Sequence, residues 1–178
     1  FHGPFGMKNL KSQKGDYLTD RLTDEAIKWI DKKKDQPFFL YMSHFAVHDP
    51  IQGRSDLVKK YEKKLTQTTT SDSADFILEG NPDNPDNPTR VELNELIQTR
   101  EFSRHKVLPR GTIKIKQKQD NPEFAAMVEG VDQSLGRITK KLKQFGLEEN
   151  TIVIFFSDNG GMAAMNVGNP KRIVPEQN

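Results

Sequence analysis

Two short runs, Phe38-Phe39-Leu40-Tyr41-Met42 and Thr151-Ile152-Val153-Ile154-Phe155-Phe156, are apolar almost without a break and show no alternation with polar residues. Strands with one face in water alternate. Unbroken runs of this length belong to strands covered on both faces, as parallel strands between helical layers are. Each run follows a helical pattern. From residue 17 to 34, Leu18, Leu22, Ala26, Ile27, Trp29 and Ile30 recur at helical spacing, and Lys32, Lys33 and Lys34 sit where cations suit a helix C-terminus. This predicts a helix over 18–33, with Pro37 barring its continuation. Further on, Asn121-Pro122-Glu123 has the form of an N-cap, a first-turn proline and a first-turn acid. Phe124, Met127, Val128, Val131, Leu135, Ile138, Leu142 and Phe145 follow on one helical stripe, and Gly146 stops it.

Between these two pairs lies a segment of different composition, about residues 63–120, with the tract TQTTTSDSAD and the repeat NPDNPDNP. Proline and asparagine at that density favour turns and extended chain, so the segment reads as a long irregular surface insertion. Its charge is segregated: residues 72–95 carry seven acids and one arginine, whereas 98–119 carry seven lysines and arginines and one acid. The two halves can pair with one another or stand as separate solvated faces. Helix, buried strand, insertion, helix, buried strand is an α/β order. The expected fold is therefore part of a mainly parallel sheet flanked by helices.

Composition narrows the function classes. At 178 residues the chain suits one domain with a real core. A mean hydropathy of −0.75 and the lack of any apolar stretch of about 18 residues exclude a membrane-spanning helix. A net charge of +2 makes no general case for nucleic acid. The absence of cysteine excludes disulfides, thiolate metal sites and a cysteine nucleophile within this chain. Phe1 is not an initiator methionine, and FHGPFGMKNL lacks the basic and apolar regions of a signal peptide. The chain is expected to be an internal piece of something longer.

Both apolar runs end in residues that chemistry uses. Ser43-His44-Phe45-Ala46-Val47-His48-Asp49-Pro50 follows the first, and Ser157-Asp158-Asn159-Gly160-Gly161 the second. Were the runs parallel neighbours, the two clusters would share one sheet edge, where α/β proteins gather their ligands. Asp158 and Asn159 offer a carboxylate and an amide carbonyl, hard oxygen donors suited to Ca²⁺ or Mg²⁺. Asp158-Asn159-Gly160-Gly161 also makes an ordinary turn after a strand. His44 and His48 can bind an anionic oxygen or protonate a leaving group, or serve as structural hydrogen-bonding residues. Ser157 has no base beside it and no Gly-x-Ser-x-Gly elbow, which points to a structural role.

Taken together, PFFLYMSHFAVHDP and NPEFAAMVEGVDQSLGRITKKLKQFGLEENTIVIFFSDNGG resemble the middle of a formylglycine-dependent (type I) sulfatase of the alkaline-phosphatase superfamily. YLTDRLTDEAIKWI resembles the helix before it. The resemblance covers about residues 16–62 and 121–161. It implies that Asp158 and Asn159 are two ligands of a divalent cation, usually calcium with magnesium as the alternative. It further implies that His48 contacts the substrate sulfate or leaving group, with His44 at a less regular active-site position. A sulfate ester, for example on a sulfated glycan, is the implied substrate. The implied compartment is periplasmic, secreted or lysosomal-type. No C/S-x-P-x-R sequence, from which the family makes its formylglycine nucleophile, occurs in the chain, and Pro109-Arg110 has the wrong spacing. The first acidic metal-ligand pair is missing as well, and Lys171 lies in the wrong surroundings for the family's later lysine. Two other readings stand beside this one. One is a phosphate or phosphonate ester hydrolase of the same superfamily. The other is a non-catalytic module that binds sulfated glycans through the basic 98–119 stretch, with Lys114, Lys116 and Lys118 at its centre.

Overall fold

The computed structural model describes residues 15–68, 74–80, 87–105, 107–160 and 164–166. In chain order the elements are α1 (Leu18–Lys33), α2 (Ser55–Thr66), β1 (Phe76–Gly80), α3 (Arg90–Ile97), α4 (Arg100–His105), β2 (Thr112–Lys116), α5 (Pro122–Gln144), a one-turn 3-10 helix (Glu148–Asn150) and β3 (Ala164–Asn166). They fall into two compact units. The first holds Phe1–Thr68 and Asn121–Gly160, the second Thr69–Asp120 and Gly161–Asn178.

In the first unit α1 and α2 both pack against α5. Helix α1 spans the expected 18–33 and buries Thr19, Thr23, Ala26 and Ile30, spaced by four, three and four, so they form one stripe. Helix α5 starts as its sequence predicts: the Asn121 side chain accepts from the Phe124 N–H at 3.1 Å, and Pro122 takes the first turn. Its end is set by Gly146, whose φ of +68° lets the chain turn out, while the Leu147 N–H reaches back to the Leu142 carbonyl at 3.0 Å. Helix α2 runs through residue 63, where the sequence suggests that a surface insertion begins. Its Leu57 is buried, and Lys60 pairs with Glu129 of α5 at 2.7 Å.

No parallel ladder of the expected kind occurs among the described residues. Among the described residues, the hydrogen-bonded strands belong to one antiparallel sheet in the second unit, in the order β1-β2-β3. Strands β1 and β2 are in register from Phe76 opposite Lys116 to Gly80 opposite Thr112. Neither 38–42 nor 151–156 joins a ladder. The burial explains this. Residues Phe38, Leu40, Met42 and His44 are half-buried, and the Phe38 ring meets Trp29 of α1 edge-on at 5.6 Å between centroids. The alternate residues Phe39 (84% accessible), Tyr41 and Phe45 are exposed. The second run is more open still, with Ile152 at 89%. A two-face-buried strand needs ladder partners and a second covering layer, and the described residues supply helices to one side of the first run.

The segment read as irregular has its own core, which corrects that expectation. Leu78 of β1, Leu93 of α3 and Leu108 are buried together, with Phe76, Leu96, Ile97 and Phe102 packed around them. Thr89 and Glu92 cap α3 reciprocally: the Thr89 N–H donates to the Glu92 carboxylate at 2.7 Å and the Glu92 N–H to the Thr89 hydroxyl at 3.3 Å. Among the described residues the segregated charges meet where Lys118 pairs with Asp75 at 2.7 Å. The tract 69–73 and the repeat 81–86 lie outside the described residues. No helix among those described is long and apolar enough to cross a membrane.

Candidate functional site

The loop that leaves the first apolar run is held against the helices on both sides of Pro50. Past Pro50, the Gly53 N–H donates to the Glu123 carboxylate at 2.5 Å, and the Gln52 N–H to the Met127 sulfur at 3.3 Å. Gly53 sits so close to α5 that a Cβ there would lie 2.6 Å from the Ala126 Cβ and 2.9 Å from the Glu123 carbonyl oxygen. Arg54 then forks three ways: to Asp56 at 2.7 and 3.0 Å, to Asp20 of α1 at 3.0 and 3.2 Å, and to the Gln133 side-chain carbonyl of α5 at 2.9 Å. Hydrogen bonding to Asp56, with Asp20 behind it, holds the guanidinium pKa above its ordinary value. Next to this fork, Arg137 of α5 pairs with Asp24 of α1. None of these partners stands out in the sequence, because each is an ordinary charged residue of a helix surface.

The two histidines sit in different surroundings. His44 is half-buried, with Nε2 3.2 Å from the Ser134 hydroxyl of α5. Its Nδ1 is buried and has no hydrogen-bond partner among the described residues. Burial lowers its pKa below the ordinary 6.5, so the neutral ring is favoured. His48 is exposed, and its Nδ1 lies 2.9 Å from the Asp49 carbonyl oxygen. A carbonyl only accepts, so Nδ1–H donates, and Nε2 is the acceptor nitrogen when the ring is neutral.

Asp158 and Asn159 lie in an exposed turn, 157–160. The Asn159 N–H donates to Asp158 Oδ1 at 2.9 Å and its side-chain amide to Oδ2 at 3.3 Å, while the Gly160 N–H donates to the Ser157 hydroxyl at 2.9 Å. Ser157 thus closes the turn, the structural role its sequence context suggests. The turn fixes the carboxylate relative to the amide and leaves lone pairs on both residues. In kind, these donors fit a divalent cation such as calcium or magnesium. In number they are part of a site, since no group of three or more His, Asp or Glu side chains poised for a metal occurs among the described residues.

Three lysines of the basic stretch, Lys114, Lys116 and Lys118, are engaged within their own unit. The Lys114 ammonium lies over the Phe76 ring at 4.0 Å, Lys116 pairs with Asp120 at 2.7 Å, and Lys118 with Asp75. Such pairing lowers the net field that a sulfated glycan would meet.

The family model described as Sulfatase matches residues 4–176. Among curated proteins, a sulfatase of Formosa agariphila is 29% identical over 167 residues, covering 88% of this chain and 22% of that protein. An endo-4-O-sulfatase of Bacteroides thetaiotaomicron is 32% identical over 138 residues, covering 70% and 26%. An arylsulfatase of Klebsiella aerogenes is 26% identical, covering 83% and 31%. The chain thus spans less than a third of the length of these relatives.

Proposed function

This chain belongs to the sulfatase family, and on that premise we propose that it is part of a sulfate ester hydrolase whose formylglycine nucleophile lies outside these residues. The family match over 4–176 carries the reading. His48 supports it, because an exposed ring with Nδ1–H committed to Asp49 has one nitrogen free to handle a proton at a leaving oxygen. Asp158 and Asn159 would hold a divalent cation, calcium first and magnesium as the alternative, and a bound cation supplies positive charge against a sulfate oxygen. The ladder partners that 38–42 and 151–156 lack here are, in this reading, parallel strands of the remaining catalytic domain. They bring His48 and the Asp158 turn to one sheet edge. Arg54, Gly53 and Glu123 keep the His48 loop seated while this happens.

The substrate class is a sulfate ester, with a sulfated glycan as one candidate of that class. The test is hydrolysis of an aryl sulfate by a polypeptide that joins this chain to a segment carrying C/S-x-P-x-R with its formylglycine formed. His48→Ala should lower kcat about 100-fold or more, and Asp158→Ala should lower activity and raise the calcium concentration needed for it. Wild-type rates from both variants would overturn the assignment. The same preparation turning over aryl phosphate in preference to aryl sulfate would favour the phosphate ester reading.

A further inference from the structure

A chain of buried polar side chains runs from α1 through α5 to the His44 ring. The Thr23 hydroxyl lies 2.7 Å from the Thr19 carbonyl oxygen and 2.6 Å from the Ser134 hydroxyl, and the Ser134 hydroxyl lies 3.2 Å from His44 Nε2. Thr23 and Ser134 are 0% and 1% accessible, so water does not complete the set. Counting hydrogens decides its direction. The Thr19 carbonyl can only accept, so the single Thr23 hydrogen goes to it. The hydrogen between the two hydroxyls must then be that of Ser134. With both hydroxyl hydrogens spent, the one between Ser134 and His44 has to come from the ring.

We propose that Thr23 and Ser134 are a positioning pair that holds His44 as the Nε2–H tautomer, with its lone pair at Nδ1. The carbonyl of Thr19 sets the polarity, and each hydroxyl passes it on by one bond. His48 is held the opposite way, with Nδ1–H on the Asp49 carbonyl. The two histidines therefore present different chemistry. His44 offers an acceptor at Nδ1, suited to an N–H or O–H group rather than to an anionic oxygen, and His48 carries the proton handling. That division of labour rests on the sulfatase reading, whereas the tautomer does not.

Ring-nitrogen spectra of the ¹⁵N-labelled chain, taken above the ordinary histidine pKa, test the tautomer without turnover. The wild-type His44 ring should show a protonated Nε2 and a bare Nδ1. Thr23→Val removes the acceptor of the Ser134 hydrogen and frees it to donate to Nε2, so the ring should shift toward Nδ1–H. Thr23→Ser should restore the wild-type pattern, which a purely space-filling Thr23 would not require. Ser134→Ala serves where Thr23→Val fails to fold, and should speed exchange of the Nε2 proton roughly tenfold or more. A protonated Nδ1 in the wild type, a folded Thr23→Val chain with unchanged ring nitrogens, or unaltered Nε2 exchange in Ser134→Ala overturns the proposal.

Discussion

At the scale of single residues, the tightest fit in the first unit is at Gly53, where the loop after Pro50 touches α5. A methyl group there would lie 2.6 Å from the Ala126 Cβ, 2.8 Å from Val58 Cγ2 and 2.9 Å from a backbone oxygen, so the loop or the helix has to move. Gly53→Ala should cost about 1–3 kcal/mol in urea unfolding. It should also displace the neighbouring Arg54 fork, which loss of the contacts to Asp20 and Gln133 in side-chain spectra would report. His44 carries a pH prediction whose sign follows from its burial. The unfolded ring takes its proton near the ordinary 6.5, and the folded ring only below that. Between those two values the unfolded state holds more protons, so stability falls as the pH drops through that window and is retained above it. Urea midpoints measured across the window should decline toward acid in the wild type and decline less in His44→Gln; parallel curves would refute the assignment. His44 and His48 stand out in the sequence as polar residues at the end of an apolar run. Ser134 and Thr23 do not, because they lie 90 and 111 positions from their partners and look like any small residue on a helix.

Among elements, the two helices that were legible in advance are the ones whose signals are local. The Asn121 cap, the Pro122 start, the Gly146 stop and the helical spacing of the apolar residues in α1 all act within a few residues of where they are read. The segment around NPDNPDNP reads as irregular because its turn residues outweigh its short apolar groups in any local count. Leu78, Leu93 and Leu108 are isolated in sequence and meet only when β1 pairs with β2 and α3 folds over β1. That core makes a prediction. Leu93, fully buried, should lose about 2–5 kcal/mol of the second unit's stability on replacement by alanine. Hydrogen exchange should show the loss in β1 and β2, with the α1 and α5 amides little affected; equal loss in both would mean that the two units unfold as one.

For the whole molecule, the dominant feature is apolar surface left open along both runs. Phe39, Tyr41, Phe45, Ile152, Ile154, Phe155 and Phe156 are all exposed. Unladdered apolar chain of this kind recruits other strands or other copies. Sedimentation should therefore show concentration-dependent association of the chain alone, and Phe39→Ser with Tyr41→Ser should weaken it. A monomer unaffected by concentration would contradict the exposure described here. The chain alone should also bind calcium weakly in a calorimetric titration, because Asp158 and Asn159 supply two oxygen donors where the ion takes six to eight. Micromolar affinity would point to further ligands. Helices α1 and α5 and the chemistry of the residues that end the two apolar runs are written in the sequence, since periodicity, caps and residue type are local properties. Only the tertiary structure decided that β1 and β2 pair antiparallel around a leucine core. It alone, too, ties Arg54 to three helices and orders the hydroxyls that orient His44. Each of these depends on which distant residues come within hydrogen-bonding or packing distance, and that is a property of the folded chain as a whole.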